Sequence, residues 1–406
     1  MPHATLHALP LVVVLMLASF AHAQAPPHRQ GVLRIETEPG ATVTTEQTRH
    51  AFEFGTAVAA RFWDQDYRDE AYRAKYREML AANFNAAVFE NAQKWKQAED
   101  DRGVLQYRQA DRALVWLLER DFEVRGHCIA WANPRRLPGW WLDLPSGEAE
   151  FTLMARAREV TTRYAGRITD WDVNNEMVEH DGIRGKLGTG FDDYAPVKRL
   201  FDAAATGNPD AILYVNDYAV LNPNPQTDNF QAYVEQIQTL LDMGVPVGGI
   251  GVQCHFYLPL DVEQARQRLD RLAEFGLPIK ITEFDYAQRP ANFDGDVEIE
   301  KADKLAAFYE MAFAHPGVDG IYAWGFWPGA HWRRDAVWWT QDWEPLPAAD
   351  AYRGLVYDKW WSTTEGTADD AGVYEATVTL GTHRVTVDGK SKLFEVTANG
   401  TRLLEG

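Results

Sequence analysis

The sequence predicts an α/β protein, a (β/α)8 TIM barrel with a small accessory β-structure formed by its N- and C-terminal segments. Three observations lead there. Eight short β-rich runs alternate with longer helical patterns over about 310 residues. No glycine-rich phosphate loop follows the first run, as a doubly wound dinucleotide fold would show. The unusual polar residues gather at the C-terminal ends of nearly every run, and in a closed barrel those ends converge on one mouth.

The runs fall at 51–58, 84–90, 122–131, 170–177, 211–218, 248–256, 278–285 and 320–327. The segments between them have helical spacing. Ala110, Ala113, Leu114, Leu117 and Leu118 recur at i, i+3, i+4, i+7 and i+8, one face of a helix. Asp261 can cap a later helix, Leu269 and Leu272 share its apolar stripe, and Gly276 follows its end. Arg, Glu and Asp fill the opposite faces.

The two ends of the chain read differently. Residues 1–23 have the pattern of a signal peptide: a 12-residue apolar run at 9–20, then Ala21-His22-Ala23 as a small-x-small cleavage site. Export, to the periplasm or as a secreted protein, is therefore expected. The segment 24–50 reads as strand, broken at Pro39-Gly40, and 51–361 is the expected barrel. In 362–406 the helical period disappears, and strand-like runs alternate with turn signals such as Asp388-Gly389. About 45 residues bury little core alone, so the two ends are expected to meet in one β-structure packed on the barrel, a clasp rather than a sugar-binding module.

Composition removes several partners. Forty Lys and Arg against 59 Asp and Glu give a net charge of −19, which disfavours nucleic acid and an anionic membrane surface. Two cysteines cannot build a disulfide framework, and both are expected as buried thiols. His127-Cys128 and Gln253-Cys254-His255 lack zinc-site spacing, and no G-x-S-x-G elbow or phosphate loop occurs. The sequence leaves the oligomeric state open and is compatible with a monomer.

The strand ends carry the chemistry. The second closes with Glu90, Asn91, Lys94 and Trp95, and the third with His127 and Trp131. The fourth ends Asn174-Asn175-Glu176-Met177, the fifth Asn216-Asp217-Tyr218, the sixth Gln253-Cys254-His255, and the seventh Glu283-Phe284-Asp285. Glu176 and Glu283 thus reach one mouth from different strands. Two carboxylates across a cleft are what glycosidic cleavage needs, one protonated to serve the leaving oxygen and one ionised to meet the oxocarbenium-like carbon. His255 can donate to Glu283 and keep it ionised, Asp285 can orient that imidazole, and Asn175 can bind a sugar hydroxyl. Eight of the 15 tryptophans crowd 324–361. Trp324 and Trp332 are placed to stack on sugar rings, Trp327 to modify that surface, and Trp360 and Trp361 to pack in the core.

These residues resemble glycoside hydrolase family 10, the retaining xylanase family, from about Phe52 to Trp361. The likeness rests on Glu90-Asn91-x-x-Lys94-Trp95, Arg125-Gly126-His127-x-x-x-Trp131, Trp171-Asp172-x-x-Asn175-Glu176, Asn216-Asp217-Tyr218, Gln253-x-His255, Ile281-Thr282-Glu283-x-Asp285, and Trp324-Gly325 with Trp332. It implies Glu176 as acid/base and Glu283 as nucleophile in a double displacement that needs no metal or cofactor. It implies that Lys94, His127, Trp131, Asn175, Gln253, His255, Trp324 and Trp332 surround the sugar at the cleavage point. Glu90 and Asn91 would hold the next sugar on the non-reducing side. The implied partner is xylan or a xylo-oligosaccharide. Ala132, Pro134 and Trp327-Pro328 depart from the family pattern and point to a remodelled neighbouring site. Two other readings stand beside this one. The first is a different β-glycosidase activity, on cello-oligosaccharides, aryl xylosides or xylosylated glycosides. The second is a catalytically silent carbohydrate-binding protein.

Overall fold

The structure, a computed structural model, describes residues 25–188, 190–223, 226–256, 259–287 and 294–404. The signal-peptide pattern lies outside the described residues.

Two strands, β1 (Gln30–Glu36) and β2 (Thr42–His50), precede the barrel. The barrel strands are β3 (Glu53–Val58), β4 (Ala86–Phe89), β5 (Glu123–Gly126) with a short continuation β6 (Ala130–Trp131), β7 (Asp170–Asn175) and β8 (Ile212–Asp217). They continue with β9 (Gly249–Val252), its continuation β10 (His255–Phe256), β11 (Ile279–Tyr286) and β12 (Val318–Ala323). Parallel pairing runs β3-β4-β5-β7-β8-β9-β11-β12 and returns from β12 to β3, closing eight strands into a barrel.

Two expected strands are broken where the sequence reads as continuous. The third run divides at 127–129, where His127 turns its ring to Asp172. The sixth divides at Cys254, whose φ of +63° interrupts the ladder. The eighth ends at Ala323, because Gly325 takes φ +107° and swings the chain away, leaving Trp324 at the rim. A hydrophobic pattern records which face a residue takes but not a local break in pairing.

The helices follow their stripes. In Arg108–Leu118 the buried residues are Ala110, Ala113, Leu114 and Leu117. Asp261 accepts from the Gln264 N–H at 2.9 Å and caps Val262–Ala273, which buries Leu269 and Leu272.

The barrel interior is partly ionic. Lys280 Nζ lies 2.7 Å from both Glu53 Oε2 and Asp170 Oδ2, while Arg125 donates to Asp172 at 2.7 Å. Tyr322 donates to Glu53 at 2.6 Å. Large rings fill the space beside glycines: a Cβ on Gly126 would lie 2.1 Å from the Trp171 ring. These buried charges pair with one another, while Arg125 Nε and Nη1 have no hydrogen-bond partner among the described residues.

The chain ends form the accessory structure. Its remaining strands are β13 (Thr363–Thr367), β14 (Val373–Thr379), β15 (Gly381–Val387), β16 (Lys390–Thr397) and β17 (Gly400–Leu403). Antiparallel β1–β14 faces a sheet ordered β13-β2-β15-β16-β17. Asp388 and Gly389, both at positive φ, turn the β15–β16 hairpin. Leu33, Ile35, Val43, Tyr374, Val378, Val385 and Val396 belong to a separate small core. Arg29 anchors this unit to the barrel, donating to the carbonyls of Phe313 and His315 at 3.1 Å each.

Candidate active site

Glu176 follows β7 directly and takes φ +59°, a left-handed conformation that a side-chain-bearing residue adopts only when its surroundings impose it. Its N–H donates to the Asn216 carbonyl at 2.9 Å, and the Val178 N–H donates to Asp217 Oδ2 at 2.9 Å. The end of β8 thereby fixes the turn that carries Glu176. Burial, opposed by the Val178 and Tyr218 N–H groups, pushes the Asp217 carboxyl well above its usual range.

Two donors hold the Glu176 carboxyl, and an imidazole stands near it. Trp131 Nε1 donates to Oε2 at 2.6 Å and Gln253 Nε2 to Oε1 at 3.1 Å. His180, one helical turn's spacing further along the sequence, places Nε2 3.6 Å from Oε2.

Glu283, on β11, is held differently. Asn216 Nδ2 donates to Oε1 at 3.0 Å, and His255 Nε2 lies 3.2 Å from Oε2. The other His255 nitrogen meets Asp285 Oδ2 at 3.0 Å. Trp332 Nε1 and Arg333 also donate to Asp285, at 2.9 and 2.5 Å. Burial opposes ionisation of Glu283, but His255, His127 and Lys94 together hold its carboxyl below the usual range. Burial likewise opposes charge on His255, and Asp285 and Glu283 outweigh it, raising the imidazole to about 9. His255 is therefore cationic at neutral pH.

A chain of amides links the two carboxylates. Gln253 donates to Glu176 and, at 3.3 Å, to Asn175 Oδ1; Asn216 donates to that same Oδ1 at 2.9 Å and to Glu283. Thr282 donates to Asn216 Oδ1 at 2.7 Å, which fixes the orientation of the Asn216 amide.

Glu176, Glu283, Gln253, His255, Lys94, Trp131, Trp324, Trp332, Glu90, Asn91 and Tyr218 line one cavity of about 530 Å³. Lys94 Nζ sits 4.5 Å from the Trp131 ring centre and 5.7 Å from that of Trp324. Trp332 is half exposed, with an open ring for a ligand to stack on. Asn175 and Asp285 lie behind this lining, as partners of the residues that form it. His127 is buried, bonded to Asp172 at 2.8 Å, with its ring edge-on to Trp324.

Trp327 is elsewhere. It is buried and stacks on Trp343 with ring centres 4.2 Å apart, so it supports the rim from within instead of modifying the sugar surface. Trp338, Trp339 and Trp360 are core, and both cysteines are buried and free.

Sequence reasoning missed His180, Asn133, Arg136 and Asn222 in the lining and Arg333 behind it. His180 stands four residues from Glu176, a signal that was available. The others sit on loops, where no period marks the face a side chain takes.

Residues 44–355 match the model of glycosyl hydrolase family 10. The chain is 33% identical over 348 residues to the anti-sigma-I factor RsgI6 of Acetivibrio thermocellus, covering 85% of this chain and 42% of that one. It is 30% identical to endo-1,4-beta-xylanase 2 of Arabidopsis thaliana, covering 86% of this chain and 31% of that one. This chain thus spans less than half the length of either relative. The crystal structure of xylanase 10B from Thermotoga maritima superposes with a TM-score of 0.64 at 26% identity, covering 76% of this chain and 96% of that one.

Proposed function

The chain belongs to glycosyl hydrolase family 10, and from that premise we propose that it is a retaining endo-1,4-β-xylanase, cleaving β-1,4-xylosidic bonds of xylan or xylo-oligosaccharides. One observation carries the reading: Glu176 and Glu283 line the same cavity with different partners, Trp131 and Gln253 on the first and Asn216 and His255 on the second. Glu283, kept ionised beside the His255 cation, attacks the anomeric carbon. Glu176 donates a proton to the departing glycosidic oxygen, leaving a xylosyl ester on Glu283. The Glu176 carboxylate then removes a proton from water, whose oxygen displaces Glu283 and restores both groups. Trp131, Gln253 and Lys94 hold the sugar and the acid/base in register.

Glu176→Ala tests the roles. It should abolish xylan hydrolysis, while an aryl xyloside with a good leaving group still forms the glycosyl-enzyme, detected by intact mass. Unchanged xylan hydrolysis would refute the assignment. Xylan binding without any hydrolysis by the wild type would favour the silent carbohydrate-binding reading. A preference for cello-oligosaccharides or a xylosylated glycoside would favour the other glycosidase reading. Export is part of the proposal, supported by the apolar run and the Ala21-His22-Ala23 site. A mature protein beginning at Gln24 is the expected result of N-terminal sequencing.

A further inference from the structure

The loop 132–137 brings Asn133 and Arg136 into the lining of the cavity. Ala132 N–H donates to the Asn175 carbonyl at 2.9 Å, tying the loop to the end of β7. Asn133 then caps a 3₁₀ turn, Pro134–Arg136: its side chain accepts from the Arg135 N–H at 3.1 Å, and its carbonyl from the Arg136 N–H at 2.9 Å. Proline at the first position presets the turn, and Leu137 is buried immediately after it. Arg136 is thus carried on a short, anchored support.

Its guanidinium lies 4.9 Å from the centre of the Trp131 ring and lines the cavity that holds Glu176 and Glu283. Trp131 donates to Glu176, so Arg136 stands one indole away from the acid/base. Among the described residues no carboxylate lies within ion-pairing distance of it. Acids outnumber bases 59 to 40 in this chain, yet this guanidinium has five N–H donors directed to none of them. Arg125, Arg163 and Arg333, by contrast, each pair with an aspartate. A planar guanidinium matches a carboxylate in a way that it does not match a lone hydroxyl.

We propose that Arg136 is a receptor for a carboxylate borne as a side group on the bound sugar chain, a uronic-acid branch next to the scissile bond. This rests on the reading of the site as a xylan-cleaving one. Arg136 then determines specificity among xylans, and Trp131 serves two purposes: it holds Glu176 and supports the guanidinium that sorts the substrate.

The test compares a xylo-oligosaccharide carrying one glucuronic-acid branch with the same compound after reduction of that carboxyl to an alcohol. Size and shape are kept and only the charge is lost. The wild type should show about tenfold higher kcat/KM on the acidic compound, equivalent to about 1.4 kcal/mol. Arg136→Gln should bring that ratio to about one, and Arg136→Lys should keep part of it. A wild-type ratio of one, or a ratio that survives Arg136→Gln, overturns the proposal. Should Arg136→Gln fail to fold, the salt dependence of the wild-type ratio decides: a decline with salt supports the proposal and a flat ratio overturns it. If neither compound is cleaved, the xylanase reading fails. The Arg136 proposal is then judged by binding of the same pair to the wild type, with equal affinities overturning it.

Discussion

Asp285→Asn isolates the charge behind the nucleophile. Asp285 Oδ2 meets His255 Nδ1 at 3.0 Å and Trp332 Nε1 at 2.9 Å, and its other oxygen takes Arg333. His255 is raised from 6.5 to about 9 against its burial, Asp285 being the largest cause of the rise and Glu283 the next. That gap corresponds to about 3 kcal/mol of interaction that exists only with the charged imidazole. The variant's amide keeps the side chain's shape; with its NH2 at the Oδ2 position it donates to a neutral Nδ1, leaving Nε2–H directed at Glu283, and gives up the acceptor for Trp332 Nε1–H. What it removes is the charge that keeps His255 cationic at pH 7. The sign follows from the direction of the shift. A group raised on folding stabilises fully below its unfolded value and loses that contribution as pH rises through its folded value. The wild type should therefore lose about 3 kcal/mol of unfolding free energy between about pH 6.5 and 9 through this residue, and Asp285→Asn, which keeps only the Glu283 contribution, should lose clearly less. Urea unfolding at a series of pH values measures this without assuming any substrate. In kinetics, if about half of that energy is felt at Glu283, kcat/KM on an aryl xyloside at pH 7 falls about tenfold. An unchanged pH slope in the variant, or a His255 ring signal still titrating near 9, would show that Asp285 does not control the imidazole.

Two further substitutions probe the scaffold. Asn216→Ala removes the amide that serves Asn175 and Glu283 together and leaves the Thr282 hydroxyl without its acceptor. It should cost about 1–3 kcal/mol in thermal or denaturant unfolding and lower kcat more than it raises KM. Lys280→Met leaves Glu53 and Asp170 buried without their shared cation. A loss of about 3–5 kcal/mol is expected at pH 7 by urea unfolding, shrinking toward pH 5 as a carboxyl takes up a proton; a loss below about 1 kcal/mol would contradict that account.

Much of the site was legible because barrel geometry turns sequence position into spatial position. Residues at the ends of parallel strands must meet at one mouth, so Glu176, Gln253, His255, Glu283 and Trp324 could be grouped before any coordinates. The stripes of Arg108–Leu118 and Val262–Ala273 were readable for a similar reason, since helical period dictates which side chains face the sheet. The amide chain from Glu176 to Glu283 was not. Hydrogen-bond partners depend on rotamers and on the left-handed turn at Glu176, which no local pattern encodes. Trp327 shows the same limit: near Trp324 in sequence, it lies in the core because Gly325 redirects the chain and Trp343 supplies a stacking partner.

The sequence by itself determined the alternation, the barrel and the two facing carboxylates, because periodicity and strand-end position are one-dimensional properties. The tertiary structure alone decided which donors each carboxylate receives, that Asp285 holds His255, Trp332 and Arg333 at once, and that Arg136 stands over Trp131 with no carboxylate partner among the described residues. Those are distances between residues far apart in the chain, fixed only when the strands close and the loops pack.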